Sequence, residues 1–228
     1  DLWLAFLIEV LPDQAKRRLL QEWFGLCLTP YTSLQRFLML VGEGANGKSV
    51  ILFVLRHLLG LENVSSVALE LFKRKHYLVE TRGKLVNIAT EIGDLDATCE
   101  GVLKAFVAGD PVTFNQKYKP VITERPTARV VIATNELPRF RDRSRGLWRR
   151  LILLPCEVTI PDEDQDPQLA DRLSGELSGI LNWALQGLKR LRQRGHFDVP
   201  EASKEAKNQF RKEANPAKQF IAENYEKG

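Results

Sequence analysis

The hydrophobic positions along the chain form short unbroken apolar runs and longer helical repeats. Four runs are typical of buried strands: "FLMLV" at 37–41, "KLVNIA" at 84–89, "ARVVIAT" at 128–134 and "LILLP" at 151–155. Strands that are covered by helices on both faces are apolar throughout rather than alternating. The runs therefore predict an α/β fold with a mostly parallel sheet.

Helical periodicity fills much of the remaining chain. It covers residues 1–35, Ser49–Leu59, Leu95–Val107, a long amphipathic stretch from Gln168 to Leu188, and a charged tail at 199–228. Partial alternation from Val112 to Ile122, around the polar "NQKYK", indicates a β-hairpin. These patterns divide the chain into an N-terminal helical segment (1–35), a core (36–160) and a C-terminal helical region (161–228).

Composition narrows the class of protein only slightly. The 228 residues are 44% hydrophobic and 27% charged, which is ordinary for a globular domain. The net charge of +4 is a weak indication of a polyanionic partner. The three cysteines have no metal-ligand spacing, so they predict neither a zinc site nor a disulfide framework and favour a reducing cytoplasm. No apolar run has membrane length, and a start at Asp1 inside an apolar pattern suggests a piece of a longer polypeptide.

The strongest chemical signal follows the first strand. "GEGANGKS" matches the phosphate-loop pattern G-x-x-x-x-G-K-[ST] without a mismatch, and it lies between a predicted strand and a predicted helix. Glycines allow successive backbone N–H groups to face phosphate oxygens, and the helix adds its positive end. A chance match is the alternative, but the context argues for a nucleotide site made of Gly42, Glu43, Gly44, Ala45, Asn46, Gly47, Lys48 and Ser49.

ATP and Mg²⁺ are the ligands that this loop predicts. Lys48 is expected to reach the β- and γ-phosphates, and the Ser49 hydroxyl is expected to bind Mg²⁺. A second metal ligand is expected at the end of a neighbouring strand, where Glu91 follows "KLVNIAT". The alternative is that Glu91 only caps the next helix. Asn135 follows the third strand and is suited to contact a γ-phosphate and a water, although turn chemistry explains it equally well.

The order of these motifs is similar to that of a superfamily 3 helicase, specifically the helicase module of phage and plasmid primase–helicases. "GEGANGKS", "IATE", "LKAFVAGDPVTFNQKYK", "IATNELP" and "GLWRRLILLP" carry the resemblance, which covers nearly the whole chain. The glycine loop alone is shared by many unrelated NTPases. The later motifs, in this order, are more specific.

The resemblance implies a modified AAA+ P-loop core with a five-stranded, mostly parallel sheet, a β-hairpin insertion and helical segments at both termini. It implies ATP hydrolysis in hexameric rings that translocate on single-stranded or forked DNA. Glu91 takes the Walker B position and Asn135 the sensor position. Many relatives have two acids where this chain has Thr90–Glu91. It further implies a primase or polymerase domain in the same full-length chain and a location in the host cytoplasm of a phage, plasmid or related element.

The hairpin tip combines two cations with an aromatic ring. Lys117 and Lys119 flank Tyr118, an interleaving that suits sequence-independent contact with single-stranded DNA. A solvated turn is the alternative when the residues are considered alone. The resemblance implies that this hairpin points into the ring channel, and it also draws attention to Lys104 and Asp110 as residues that face a neighbouring subunit's nucleotide.

Six arginines and one acid lie between Pro138 and Arg150. This density is typical of either a solvated face or a polyanion contact. An arginine just before a buried strand is held rigidly, and a guanidinium fork suits a γ-phosphate. By resemblance, Arg150, and after it Arg149, is the arginine finger that reaches a neighbouring subunit.

Three functions fit these features. An ATP-dependent DNA helicase domain fits best. A nucleotide-gated module that loads proteins onto DNA, without unwinding activity, is the first alternative. A small-molecule P-loop kinase is the second, but the "TNELP" strand end and the basic hairpin argue against it.

Overall fold

The computed structural model describes residues 1–90, 92–93, 95–138, 140 and 145–214. Seven strands lie in this part of the chain: β1 Phe37–Val41, β2 Val64–Ser65, β3 Val86–Thr90, β4 Val112–Phe114, β5 Ile122–Glu124, β6 Arg129–Thr134 and β7 Leu151–Pro155. Nine α-helices accompany them in the described residues: α1 Leu2–Val10, α2 Gln14–Cys27, α3 Lys48–Leu59, α4 Lys75–Leu78, α5 Ala97–Ala108, α6 Arg145–Trp148, α7 Leu169–Ser174, α8 Leu177–Arg194 and α9 Glu201–Glu213.

Five strands form one sheet in the order β2-β3-β6-β1-β7, and all neighbouring pairs are parallel. The predicted α/β architecture with helices at both ends is therefore confirmed. Because the strands are parallel, they all begin along one side of the sheet and end along the opposite side. We call the edge where β1, β3, β6 and β7 end the carboxyl edge, and the edge where they begin the amino edge.

The two faces of the sheet pack against different helices because alternate strand residues point in opposite directions. On β1, Leu38 and Leu40 join a core that includes residues of α1, α2, α3 and α8. Phe37 and Met39 join the second core, with residues of α5 and with Phe210 of α9. Both faces are thus covered, which explains the unbroken apolar runs.

The fifth strand, β2, was not recognisable in the sequence because it has only two residues. A buried side chain of the neighbouring strand holds it in place. Asn87 accepts hydrogen bonds from Ser65 Oγ and from the Val67 backbone N–H, both at 2.8 Å, and donates to the Val67 carbonyl at 2.9 Å.

The helices at the two ends of the chain pack against each other. α2 and α8 approach closely at two glycines: a Cβ on Gly187 would lie 2.3 Å from the Gln21 carbonyl oxygen, and one on Gly25 would lie 2.4 Å from that of Ala184. The single helix predicted over 168–188 is in fact two, α7 and α8, separated at Gly175 and Glu176.

The predicted hairpin is present as the antiparallel pair β4–β5. No helix in the described ranges is long and apolar enough to span a membrane.

Candidate functional site

The glycine loop connects the end of β1 to the start of α3, at the carboxyl edge of the sheet. Gly47 has φ +75°, a left-handed conformation that favours glycine. A Cβ there would also lie 2.8 Å from Phe6 Cζ and from Val10 Cγ1. Gly47 therefore permits both the turn into α3 and the close packing of α1 on the loop.

The side chain of Lys48 is held inside the loop. Its Nζ donates to the Gly42 carbonyl at 2.6 Å and to Asn46 Oδ1 at 2.9 Å. The residue is 7% exposed, and burial lowers the pKa of its ammonium below the usual range. A bound phosphate would give this buried cation the anionic partner that the two neutral oxygens do not provide.

The backbone N–H groups of the loop are available for a ligand. Across the described residues, no hydrogen bond is donated by the N–H groups of residues 43–47. Residues 43–45 are exposed, so these donors are open to a ligand, and a row of successive free N–H groups can bind phosphate oxygens.

A cavity of about 580 Å³ lies over the loop, within the usual size range of a nucleotide or cofactor site. It brings Lys48 and Ser49 together with Asn135 from the end of β6. The rest of its lining comes from α1, the glycine loop, α3, the segment after β7, and α7: Leu2, Ala5, Phe6, Glu9, Gly44, Ala45, Asn46, Gly47, Val50, Ile160, Asp164, Gln165, Asp166, Leu169 and Arg172. Of the predicted loop residues, Gly42 and Glu43 lie outside this lining.

The expected metal ligand, Glu91, follows a strand that ends at the same edge of the sheet as the glycine loop. β3 ends at Thr90, which pairs in register with Ala133 of β6, and Thr134 pairs with Val41 of β1. Glu91 follows β3 directly, but Glu91 and Asp94 lie outside the described residues. In the described ranges, no group of three His, Cys, Asp or Glu side chains is arranged to hold a metal ion.

Two acids accept hydrogen bonds from the backbone of Gly93 and from the first turn of α5. Glu70 Oε1 accepts from the Gly93 N–H at 2.6 Å, and Asp96 caps α5 by accepting from the Cys99 N–H at 2.8 Å. A hydrogen bond from Lys73, more than the cap, lowers the pKa of Asp96. These contacts constrain the chain on the C-terminal side of residue 91.

The sequence predicted neither the cavity wall that α1 forms nor the wall formed by the acidic segment 161–168, which follows β7. α1 is anchored by Glu176, which accepts from the backbone N–H groups of Leu2 at 2.9 Å and Trp3 at 3.0 Å. Ile160 N donates to the Ala45 carbonyl at 2.7 Å and ties the acidic segment to the loop. Arg172 forms an ion pair with Asp166, and both line the cavity. The contacts of Glu176 and Ile160 join residues more than 100 positions apart, so local sequence pattern carries no signal for them.

The hairpin stands at the opposite, amino edge, because α5 returns the chain there before β4. Phe114 is 2% exposed, and Glu124 accepts from Arg82 at 2.8 and 3.2 Å, so the base of the hairpin is anchored. At the tip, Tyr118 has φ +63° and is fully exposed. Lys117 and Lys119 are exposed beside it. The structure therefore brings these three residues together on one protruding tip, far from the glycine loop.

The two candidate finger arginines also lie at the amino edge, just before β7. Arg149 is exposed. Arg150 is 9% exposed and donates from Nη1 to the Gly146 carbonyl at 2.7 Å. Cys156, beside the glycine loop, follows Arg150 by six positions, a span of about 20 Å along a strand. Neither arginine lies near the loop of its own chain, and the segment 141–144 is outside the described residues.

The two residues singled out in the α5–β4 region lie apart from the cavity. Lys104 is half-buried on α5, and Asp110 is exposed after its end. Asp110 is close enough to Arg150 to oppose the loss of charge that burial favours at that guanidinium, although the pKa of Arg150 is lowered overall.

Comparison with known proteins identifies relatives over nearly the whole chain. A family described as "Family of unknown function (DUF5906)" matches residues 40–150. "Putative helicase L207/L206" of Acanthamoeba polyphaga mimivirus is 25% identical over 96% of this chain and 25% of its own length. "Putative helicase 022R" of Frog virus 3 (isolate Goorha) is 22% identical over 96% of this chain and 25% of its own length.

The solved A form apo structure of the NrS-1 C-terminal region has the same fold. It superposes with a TM-score of 0.68 at 14% identity and covers 92% of this chain and 51% of that chain. The chain thus spans about a quarter of the length of the curated relatives it matches and about half of the matched structure.

Proposed function

We propose that this chain is the ATP-hydrolysing motor domain of a superfamily 3 DNA helicase. The observation that carries the proposal is the cavity of about 580 Å³ that joins the glycine loop, Lys48, Ser49 and Asn135 at one edge of the sheet. The two viral relatives, each named "Putative helicase", support the same conclusion.

The chain's own groups account for nucleotide binding in this proposal. The free N–H groups of residues 43–47 and the ammonium of Lys48 bind the phosphates. Lys48 keeps its hydrogen bond to Asn46 and exchanges its contact with the Gly42 carbonyl for a phosphate oxygen. Leu2, Phe6 and Ile160 form an apolar wall against which a purine base can pack.

The residues around the loop suit a divalent cation. Ser49 is exposed at the first turn of α3 and lines the cavity, and Glu91 is the predicted acidic partner. Mg²⁺ would neutralise charge on the β- and γ-phosphates when it is bound. Asn135, which lines the same cavity, orients a water beside the terminal phosphate.

The opposite edge supplies contact with DNA and with a neighbouring copy. The exposed Lys117–Tyr118–Lys119 tip binds single-stranded DNA through phosphates and ring stacking. Arg149 and Arg150 lie about 20 Å from their own loop along a strand, so they complete the site of another copy. Of the two, Arg149 is exposed and suited to project, whereas Arg150 is buried and suited to support it. The functional state is a homo-oligomeric ring, expected to be a hexamer.

The resemblance to the helicase module of primase–helicases also supports a proposal about the full-length protein and its location. We place the domain in a primase–helicase of a phage, plasmid or related mobile element, acting in the host cytoplasm beside a primase or polymerase domain.

ATP turnover by purified protein, with and without oligo-dT, tests the proposal. The protein should hydrolyse ATP, oligo-dT should stimulate it, and Lys48→Ala should lower turnover by at least about 100-fold, since the loss of one charge-stabilising group at a reacting centre has this effect. Lys189→Ala, at an exposed lysine of α8, is the matched control and should behave as wild type. ATP turnover that survives Lys48→Ala would contradict the proposal.

Strand separation distinguishes the helicase from the loading module. A forked DNA substrate should be unwound by the active protein and not by Lys48→Ala. Robust ATP turnover without unwinding would instead indicate a nucleotide-gated module that loads proteins onto DNA.

A further inference from the structure

A buried arginine lies where the N-terminal helices meet the start of β6. Arg129 is the first residue of β6 and is 3% exposed. Its Nη1 donates to the Thr127 carbonyl at 2.6 Å, and its Nη2 lies 3.5 Å from Thr29 Oγ1, at the limit of a hydrogen bond. Its Nε is buried and has no hydrogen-bond partner among the described residues. The guanidinium therefore keeps an unused donor in the protein interior.

The positive charge of Arg129 has no counter-charge in the part of the chain that the structure describes. None of the ion pairs found there includes this arginine. Burial raises the pKa of the neighbouring Cys27 thiol to about 12, so the thiol stays neutral. Burial also lowers the pKa of Arg129, but a guanidinium keeps its proton in proteins. Because buried charges are almost always paired, the missing partner of Arg129 is an anion.

A small cavity lies beside Arg129, between β6, α5 and the segment 28–36 that joins α2 to β1. Its volume is about 10 Å³, which is room for one water-sized species. Of the described residues that line it, Arg36 and Arg129 are basic and none is acidic. Thr32 and Leu34 also line it, and within the described ranges their backbone N–H groups donate no hydrogen bond. The cavity thus offers positive charge and free donors to a very small ligand.

We propose that this cavity binds a single monatomic anion, with chloride as the ordinary occupant. The ion accepts a hydrogen bond from Arg129 Nε and neutralises the guanidinium. Free N–H groups of the segment 28–36 complete its shell, so the ion holds the α2–β1 connection against β6. The inference goes beyond the proposed function and does not depend on it, because the glycine loop lies at the opposite edge of the sheet.

Size and charge together select this class of ligand. A water molecule would fit and would satisfy Nε, but it would leave the positive charge of Arg129 uncompensated. The phosphate of a nucleotide or of DNA is too large for a cavity of about 10 Å³. Arg36 adds a second positive charge to the lining, which further favours an anion.

Urea unfolding at constant ionic strength tests the inference, with sodium gluconate replacing sodium chloride. A ligand that binds only the folded state lowers the equilibrium constant for unfolding by a factor set by its concentration and its dissociation constant. Raising chloride from about 5 to about 500 mM should lower that constant at least about fivefold, which corresponds to a dissociation constant of about 100 mM or less. Bromide should act as chloride does. Sulfate should give no stabilisation that depends on Arg129, because it does not fit.

Arg129→Met should abolish the dependence on chloride, because the substitution removes both Nε and the buried charge. Relative to the wild type, this variant should therefore lose less stability in about 5 mM chloride than in about 500 mM. Arg18→Met, at an exposed arginine of α2, is the matched control and should keep the wild-type dependence.

Bromide locates the site in the wild-type protein, without any substitution. Crystals grown in sodium bromide should show an anomalous scattering peak in the cavity, in contact with Arg129 Nε.

Four results would overturn the inference. The first is an equal free energy of unfolding of the wild type in chloride and in gluconate. The second is a chloride dependence that survives Arg129→Met, which would place the ion elsewhere. The third is stabilisation by sulfate that is lost in Arg129→Met, which would identify a site for larger oxyanions. The fourth is the absence of a bromide peak beside Arg129.

Discussion

Lys48 and Asn46 hold each other in the glycine loop, with the lysine Nζ donating to the asparagine Oδ1 at 2.9 Å. Asn46 is 3% exposed and also donates from Nδ2 to the Cys156 carbonyl at 3.4 Å. The middle of the loop is thus tied to the end of β7. Asn46 therefore positions the lysine that is proposed to bind phosphate.

Replacement of Asn46 by leucine should weaken nucleotide binding without abolishing hydrolysis. Hydrogen bonds to charged groups contribute about 1.5–3 kcal/mol, so we expect KM for ATP to rise by roughly 10-fold or more. The effect on kcat should be smaller, because Lys48 itself is retained. Steady-state kinetics measures the changes in KM and in kcat separately. A fall in kcat at unchanged KM would argue against a positioning role.

Charge reversal at the hairpin tip should weaken the binding of single-stranded DNA. Lys117→Glu with Lys119→Glu replaces two exposed cations with anions, and the affinity for oligo-dT should fall and depend less steeply on salt. Two lost phosphate contacts correspond to a decrease of about 1.4 in the salt slope. Basal ATP turnover should persist, because the tip is remote from the cavity.

Lys189→Glu is the control for that experiment, since it reverses one exposed charge on α8. Fluorescence anisotropy with labelled oligo-dT at several salt concentrations gives both affinity and slope. Equal losses in the tip variant and the control would indicate an effect of net charge alone.

The α2–α8 contact contains a buried acid that should make it sensitive to mutation. The Glu22 side chain is 2% exposed and is bound by Arg190 Nε at 2.9 Å and by Arg194. Arg190→Met with Arg194→Met leaves this carboxylate unpaired, and the free energy of unfolding should fall by about 3–5 kcal/mol. Urea unfolding provides the measurement.

Adding Glu22→Met to those two substitutions should restore most of the lost stability, because no buried charge then remains. A triple variant as unstable as the double variant would show that the arginines stabilise α8 by packing rather than by neutralising Glu22.

Two buried thiols should make the protein less stable at alkaline pH. Burial raises the pKa of Cys27 to about 12 and that of Cys156 to about 11. Above about pH 9 the unfolded chain releases thiol protons that the folded chain keeps, so stability falls as pH rises. The loss for each thiol at pH 10 is on the order of 1.4 kcal/mol.

Urea unfolding at pH 8 and pH 10, in reducing buffer, checks this with the double variant Cys27→Ala/Cys156→Ala. The lowered pKa of Lys48 acts in the opposite direction, and the charge of Cys156 raises that pKa, so the double variant changes it as well. The single variant Cys27→Ala is therefore measured beside it, and its difference from the wild type isolates the Cys27 thiol. An equal alkaline loss in the wild type and the double variant would refute the assignment.

The central strands could be predicted from the sequence because burial on both faces leaves an unmistakable apolar run. β1 and β7 have the predicted limits, and the phosphate-loop pattern lies where the strand-to-helix context requires. The edge strand β2 could not be predicted, because two residues carry no period and the strand depends on a buried asparagine more than 20 residues away in sequence.

The parts of the candidate site that the sequence did not indicate come from distant segments. Phe6 reaches the glycine loop because Glu176 anchors the start of α1. Ile160 reaches the loop through the hydrogen bond from its N–H to the Ala45 carbonyl. Both contacts join segments that are far apart in the sequence, and the residue pattern within either segment does not specify them.

The glycine loop and the Arg149–Arg150 pair lie at opposite edges of the sheet, which gives each copy of the chain a distinct front and back. If the arginines complete a neighbour's site, as proposed, then association completes an active site only when the back of one copy meets the front of the next, which is a heterologous contact. A two-fold symmetric pair, in which identical surfaces meet, would leave both hydrolytic centres unfinished. A linear assembly would leave the site of one terminal copy incomplete. Only a closed ring would complete the site of every copy.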